Sequence, residues 1–287
     1  MFSGNRIPYV LRPQECCFLR KHDTSNAFTL LLLLLCFLLV FQGLHAQSGH
    51  HSIDIEHIQS DSLFQSSQRI HVLTLKGNWR KHMNIGIFQP KQGLSKTSEI
   101  GLANDAVAAI NGSFFNRKSG TGVVYLESEG VPLAQTVSGD LDFLQNGAIR
   151  ITHSGEIHIS EAQQDVFYRN SSKEAFVLVS GPLLLKKGKA EVLENHPFVT
   201  NRHPRTCICQ TPSELKFIVV DGRSTVAHGM CLSELQKFLM GIGCVDALNL
   251  DGGGSSTLWS AKNGIINIPS DKNGERPVSS AILILED

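Results

Sequence analysis

Near its C-terminal end the chain reads Leu248-Asn249-Leu250-Asp251-Gly252-Gly253-Gly254-Ser255-Ser256. An apolar, alternating run delivers Asn249 and Asp251 to its end. Three glycines follow, then two hydroxyls. Consecutive glycines lose much conformational entropy on ordering and pack no side chain. A chain ordered there uses them for turns at φ > 0 or for close backbone approach to a ligand. N–H groups facing out of such a turn, with Ser255 and Ser256 beside them, suit a phosphate or a polyhydroxy group. Asp251 stands at the lip, placed for acid/base work or for a hard metal ion. The plainer alternative is a tight hairpin turn with a solvated aspartate.

The same design recurs along the chain. Asn111-Gly112 follows Ala109-Ile110, and Asp221-Gly222-Arg223 follows Val219-Val220. Strand ends that meet at one sheet edge build a site on a rigid base, so these motifs are expected to line one cleft. Arg202-His203-Pro204-Arg205-Thr206 stands just before a further strand and Arg276 precedes Pro277; guanidinium forks match phosphate and carboxylate oxygens. Asp251 and Asp221 are thus the candidate catalytic carboxylates, the pair a glycosidic bond would need. The candidate substrate-binding residues are Asn111, Gly112, Arg205, Thr206, Arg223, Asn249, Gly252, Gly253, Gly254, Ser255, Ser256 and Arg276. Each has a simpler reading as a turn residue, a surface ion pair or a backbone-fixing amide. Glu234 reads as a solvated helix residue, and His203 and His228 as loop histidines. Of Phe114 and Phe115, one reads as core and the other as a face for a sugar ring.

Asn249, Asp251 and Asp221 also offer hard oxygen ligands of the kind Ca²⁺ or Mg²⁺ takes. The chain has neither EF-hand spacing nor His-Glu-x-x-His, so no metal or other cofactor is assigned. No Gly-Lys-Ser/Thr follows the glycines, which excludes a nucleotide P-loop, and no Gly-x-Ser-x-Gly elbow points to an α/β-hydrolase.

The elements that must hold these groups are mostly short strands. Alternating or apolar runs predict strands over Arg69–Lys76, Ile85–Phe88, Ala106–Ile110, Glu174–Gly188, Leu215–Val220, Val245–Leu250, Ile265–Ile268 and Ala281–Leu285. Helical spacing appears at Leu232, Leu235, Phe238 and Leu239, with Gly241 as its stop, and a short helix is predicted over Ser98–Asn104. No repeat at a fixed period is present. Strands dominate and helices are few, which predicts an α+β fold: one strand-rich domain, residues 67–287, on a mixed β-sheet.

Arg6, Arg12, Arg20 and Lys21 precede a nearly pure apolar run from Ala27 to Val40, and Leu44-His45-Ala46 ends it with a small residue. That pattern predicts a signal peptide over residues 1–46 and a secreted or periplasmic protein, with an uncleaved signal anchor as the competing reading. Residues 47–66, polar and carrying His50, His51 and His57, read as a linker. The 287-residue chain has 26 Lys+Arg and 26 Asp+Glu. The leader is richer in basic than acidic residues, so the remainder is slightly acidic. No basic patch stands out, and nucleic acid and anionic membrane are excluded as expected partners beyond the export signal. Beyond the leader stand Cys207, Cys209, Cys231 and Cys244. Their even number permits two disulfides in an exported protein, Cys231 and Cys244 each meeting a strand cysteine; four free thiols and a zinc site stay open.

Taken together, Asn111-Gly112-Ser113-Phe114-Phe115, Arg205-Thr206, Asp221-Gly222-Arg223, the Gly229–Phe238 helix entry, Asn249-Leu250-Asp251-Gly252-Gly253-Gly254-Ser255-Ser256 and Arg276-Pro277-Val278-Ser279 stand in an order that resembles the phosphodiester glycosidase family. The resemblance runs from about residue 100 to the C-terminus and is densest from Arg205 onward. It implies an exported hydrolase that cleaves a sugar-1-phosphodiester, of the alpha-N-acetylglucosaminyl type, between the anomeric carbon and the phosphate oxygen. The implied partner is a sugar-phosphodiester or phosphoglycan substrate, with Arg205 as a phosphate clamp. Two alternatives stay open: a metal-dependent phosphodiesterase attacking phosphorus, and a non-catalytic cell-envelope module that binds glycan or sugar phosphate. Binding alone needs the arginines and the glycine turn but neither carboxylate.

Overall fold

The computed structural model describes residues 53–137 and 142–287. The expected signal peptide lies outside the described residues. In chain order the elements are β1 (Ile53–Ser60), β2 (Gln68–Leu75), β3 (Met83–Phe88), α1 (Thr97–Ala103), β4 (Ala108–Asn111), β5 (Leu126–Ser128), β6 (Val131–Ala134), β7 (Gly147–Thr152), β8 (Ile157–Glu161), α2 (Asp165–Arg169) and β9 (Glu174–Ser180). They continue with β10 (Leu183–Lys186), β11 (Lys189–Ala190), α3 (Pro197–Thr200), β12 (Arg205–Gln210), β13 (Leu215–Val220), α4 (Leu232–Gly241), β14 (Asp246–Asn249), β15 (Leu258–Ser260), β16 (Gly264–Ile265) and β17 (Ala281–Glu286).

The α+β class holds. The strands form three sheets instead of one, in the orders β1-β2-β13-β12-β14-β10-β11, β16-β15-β4-β17-β3 and β6-β5-β9-β7-β8. Neighbouring strands within each run antiparallel, where a mixed sheet is expected from the sequence. Short connections explain the difference: most strands are joined by turns too short for a parallel crossover.

The seven-stranded sheet is apolar on both faces. Leu73, Leu75, Ile208, Phe217 and Val219 face a core shared with residues of the other two sheets, among them Ile87, Ile110, Ile149, Leu178 and Ile282. Their alternates Ile70, Val72, Cys207, Cys209, Ile218 and Val220 face a second core under Leu232, Leu235 and Leu239 of α4. Period two on the strands and period 3.6 on the helix therefore meet in one interface. Truncating a buried leucine such as Leu235 there costs about 2–5 kcal/mol. Cys209 and Cys244 form a disulfide inside this second core, while Cys207 and Cys231 are free thiols. One of the two permitted bridges thus forms.

The expected linker over 47–66 is corrected in part. Residues 53–60 form β1, paired along its length with β2 in antiparallel register. Ile53 and Ile55 pack toward the shared core and Ile58 toward the helix-side core. The polar character read as a linker is that of an edge strand with half its residues in water. Among the described residues no helix is long and apolar enough to cross a membrane.

Candidate active site

Antiparallel pairing brings several strand ends to one end of the molecule. Arg205 pairs with Val220, Asn249 with Cys207, and Asn111 with Ala281, so β12 and β17 begin where β13, β14 and β4 finish. The glycine turn hangs from this rim. Asp251 N–H donates to the Gly112 carbonyl at 3.1 Å, and the Asp251 carbonyl accepts from Asn111 Nδ2 at 2.7 Å. Asn111 Oδ1 accepts from Thr206 Oγ1 and from Thr257 N–H, each at 3.0 Å. Asn111 thereby joins β4, β12 and both sides of the glycine turn, and fixes the backbone that carries Asp251.

Asp251 itself is half-buried. Burial pushes its carboxyl up to about 6, against the opposing pull of the Ser255 hydroxyl, Arg276, the Gly252 N–H and Arg117. A carboxyl so placed changes charge close to neutral pH, where general acid/base groups operate.

The glycines do two different things. Gly253 adopts φ +62°, a left-handed conformation that a side chain disfavours. Gly254 has negative φ, but a methyl there would overlap the Arg276 guanidinium and Asp271. A methyl on Gly253 would sit 2.9 Å from Arg223 Nη2. The turn is bare so that two arginines can lie against it. Within it the N–H groups of Gly253, Ser255 and Ser256 donate to the carbonyls of Pro204, Gly252 and Gly253. Gly252 packs where a methyl would lie 2.7 Å from the Pro204 carbonyl.

Three arginines surround the turn. Arg276 is held by Asp271 through Nε to Oδ2 at 2.8 Å and Nη2 to Oδ1 at 3.0 Å, and leaves Nη1 facing Ser255 Oγ at 3.4 Å. Its segment is anchored in turn by Glu275, whose carboxylate accepts from Ser98 N–H and Oγ at the start of α1. Arg223 is exposed, sits at φ +62°, and makes no ion pair or hydrogen bond with the described residues. Arg117 is exposed on the turn after Asn116 and adds its positive charge to the Asp251 surroundings. Beside them His203 is pulled below its ordinary value by burial, then by Arg205 and Arg223.

Other residues expected in the cleft lie beneath it. Arg205 is 1% exposed, donating from Nε to the Met230 carbonyl at 2.8 Å and from Nη2 to the carbonyls of Phe198 and Asn201 at 2.7 and 2.9 Å. Its guanidinium lies 4.9 Å from the centre of the Phe198 ring, and burial draws it down to about 10. These bonds tie β12 to α3 and the approach to α4, while Arg205 Nη1 is buried with no partner among the described residues. Asn249 Nδ2 donates to the carbonyls of Gly181 and Leu250, which commits that amide to the backbone. Thr206 is bound to Asn111. Gly112 is a packing glycine, since a methyl there would overlap Ser280. Ser256 is buried with no partner for its hydroxyl among the described residues.

Asp221 is also held by its neighbours. It is 2% exposed; Oδ2 accepts from His71 Nε2 at 3.0 Å, and Oδ1 from Ile268 N–H at 3.0 Å and Asn267 Nδ2 at 3.3 Å. Asn267 also donates to the Ser256 carbonyl at 3.0 Å and accepts from Leu258 N–H at 2.8 Å. Asp221 therefore braces the far side of the glycine turn through Asn267. His71 continues outward to His57, Nδ1 to Nδ1 at 2.8 Å, so His57 is not merely solvated. Glu234 caps α4 through Cys231 N–H and pairs with Arg202. Phe114 packs edge-on against Phe198 and Phe115 joins the cluster around Trp259, on opposite sides of their segment. His228 is exposed.

Among the described residues no three His, Cys, Asp or Glu side chains are grouped to hold a metal ion. Reading residues alone misses Arg117, Asp271, Asn267 and His71. Asp271, five residues before Arg276, is the one with a usable signal, an acid and a base on one short loop.

The fold has counterparts among solved structures. The catalytic domain of zebrafish N-acetylglucosamine-1-phosphodiester alpha-N-acetylglucosaminidase, auto-inhibited by pro-peptide, superposes with a TM-score of 0.66 at 21% identity, covering 82% of each chain. A hypothetical protein from Synechocystis gives 0.61 at 15% identity over 82% of this chain and 62% of the other. A putative exported protein from Burkholderia pseudomallei gives 0.59 at 13% identity over 76% of this chain and 74% of the other. At these identities the likeness is one of fold. In sequence, 117 residues are 27% identical to the SPbeta prophage-derived uncharacterized protein YomE of Bacillus subtilis, a match over 40% of this chain and only 17% of that protein's length. The family model for phosphodiester glycosidases matches residues 104–285, which hold the glycine turn, Asp251 and all three arginines, and the chain belongs to the phosphodiester glycosidase family.

Proposed function

We propose that the protein is a hydrolase that splits a sugar-1-phosphodiester at the bond between the anomeric carbon and the phosphate oxygen, and that Asp251 is its catalytic carboxylate. The observation that carries this reading is the setting of Asp251: half-buried, raised to about 6, with the positive charges of Arg276 and Arg117 acting on it and Arg223 against Gly253 of a turn stripped of side chains. A phosphomonoester is a good leaving group once its charge is held, so the arginines bind the phosphate and stabilise the negative charge that gathers on it as the bond breaks. Arg223, unpartnered and in a strained backbone conformation, suits that task. Asp251, ionised above pH 6, takes a proton from water as the water oxygen bonds to the anomeric carbon. The carbon–oxygen bond breaks with its electron pair going to the phosphate. The products are a free sugar and a phosphomonoester. The family and the zebrafish enzyme's name support the alpha-N-acetylglucosaminyl class of substrate, and the basic leader with its apolar run supports export.

Methyl alpha-N-acetylglucosaminyl phosphate tests this. Free sugar and methyl phosphate should appear in equal amounts, with kcat/KM rising about tenfold per pH unit below 6 and levelling above it. Asp251→Asn should lower kcat by about 10²–10⁴ with KM changed little. A variant that keeps full turnover would remove Asp251 from the chemistry.

A further inference from the structure

His57 and His71 take no part in the chemistry proposed above, yet they meet at short range on adjacent strands. The two stand directly opposite each other in the β1–β2 register. Their rings lie edge to face, centroids 5.0 Å apart, with Nδ1 to Nδ1 at 2.8 Å. His71 is buried and His57 is exposed. These contacts fix the protons. His71 Nε2 donates to Asp221 Oδ2 at 3.0 Å, so the Nδ1 of a neutral His71 carries a lone pair. His57 Nδ1 is then the donor between the rings, which sets the tautomer of both.

The line of bonds runs on from Asp221 to the glycine turn. Asp221 Oδ1 accepts from Ile268 N–H and from Asn267 Nδ2, and Asn267 Nδ2 also donates to the Ser256 carbonyl at 3.0 Å. Ser256 N–H donates to the Gly253 carbonyl at 3.2 Å and Ser255 N–H to the Gly252 carbonyl at 3.3 Å. Asn267 therefore holds one end of a closed turn whose other end is Asp251. Within that turn the Ser255 hydroxyl acts on the Asp251 carboxyl and holds its proton affinity down, as do Arg276, the Gly252 N–H and Arg117. The main chain of Asp221 is fixed separately, its N–H donating to the Arg69 carbonyl at 2.9 Å, so His71 governs the side chain alone.

We propose that His71 is a positioning residue for the reaction, acting through Asp221 and Asn267 on the turn that carries Asp251, with His57 fixing its tautomer. The proposal rests on the hydrolase reading above. Without His71, Asp221 Oδ2 is a buried acceptor lacking its donor, which costs more than the bond itself contributes. The carboxylate then turns toward the donors that remain, Asn267 Nδ2 and Ile268 N–H, and draws Asn267 from Ser256. The turn shifts, and Ser255 leaves Asp251.

The variants His71→Gln and His71→Asn separate the two bonds of the ring. A glutamine amide reaches about as far as Nε2 and still donates to Asp221; an asparagine amide reaches only about as far as Nδ1, toward His57. On methyl alpha-N-acetylglucosaminyl phosphate, His71→Asn should lower kcat by about tenfold or more with KM nearly unchanged, and should move the acid limb of kcat/KM to higher pH. His71→Gln should stay within about threefold of the native kcat and keep the native limb. Native kcat and limb in His71→Asn, or an equal loss in His71→Gln, overturns the positioning role and leaves the hydrolase reading in place. Should His71→Asn not fold, His71→Gln decides alone: a kcat within about threefold of native supports the role and a larger loss overturns it. If the native protein does not turn the diester over, the hydrolase reading falls and hydrogen exchange judges the brace. Faster exchange at the Ile268 and Leu258 amides in His71→Asn, restored in His71→Gln, supports it; equal exchange in the two variants overturns it.

Discussion

The setting of Asp251, proposed above as the catalytic carboxylate, carries a thermodynamic cost. Its carboxyl titrates near 6 in the fold against 3.8 for a free side chain, and the first cause is burial. The unfolded chain therefore releases this proton at lower pH than the folded one. The sign follows: between about pH 4 and pH 6 the folded state binds more protons, so this group makes stability fall as pH rises, and above 6 its effect is constant. Asp251→Asn should remove that dependence and raise stability at pH 7 by about 1–3 kcal/mol, measured by urea unfolding at pH 4 and pH 7. An unchanged or lower stability at pH 7 would mean that the carboxylate is well solvated or well paired. At this scale the sequence shows Asp251 clearly, because three glycines and two hydroxyls after an aspartate have few other uses. It does not show which atoms Asn111, Asn249, Arg205 and Asp221 bind. Those four have residue types suited to a ligand and positions at strand ends, but most of their hydrogen-bonding groups go to neighbouring backbone and side chains, Arg205 Nη1 and Asn249 Oδ1 alone among them being buried without a partner among the described residues. Arg117 escapes notice for the opposite reason: it lies in an ordinary polar loop whose approach to Asp251 depends entirely on how β4 meets β14.

Each element end contributes a brace to the turn. From one side, the end of β4 supplies Asn111. From the other, the end of β13 supplies Asp221, which holds Asn267, which holds Ser256 and Leu258. Asn267 is 5% exposed and satisfies one backbone acceptor and one backbone donor in this segment. Asn267→Ala would leave both without their partner and should cost about 1–3 kcal/mol. Faster hydrogen exchange at the Leu258 amide would accompany the loss and locate it; unchanged exchange there would show that the brace is idle. Most of the expected strands are readable from alternation, and α4 from its leucine spacing, with edges within a residue or two; the run expected over Ile265–Ile268 is an exception, the observed strand being only Gly264–Ile265. β1 is not, because an edge strand in half-contact with water shares its composition with a linker. The brace through His71 is equally hidden: one histidine between Ile70 and Val72 looks like the solvent-facing residue of an amphipathic strand, and only the β13 neighbour makes it a partner for Asp221.

At the scale of the molecule, a fold of antiparallel strands lets many strand ends meet without any helix crossing the rim. That geometry lets residues as far apart in sequence as Asn111, Asp221 and Asp251 share one hydrogen-bonded framework. The class of fold follows from strand-dominated periodicity, but the division into three sheets depends on pairing choices that no local pattern encodes. The central claim is that this framework directs water to the anomeric carbon. Hydrolysis of methyl alpha-N-acetylglucosaminyl phosphate in ¹⁸O-water, read by mass spectrometry of both products, tests it most directly. The sugar should carry the label on its anomeric oxygen and the methyl phosphate none; label in the methyl phosphate would mean attack at phosphorus and would contradict the account.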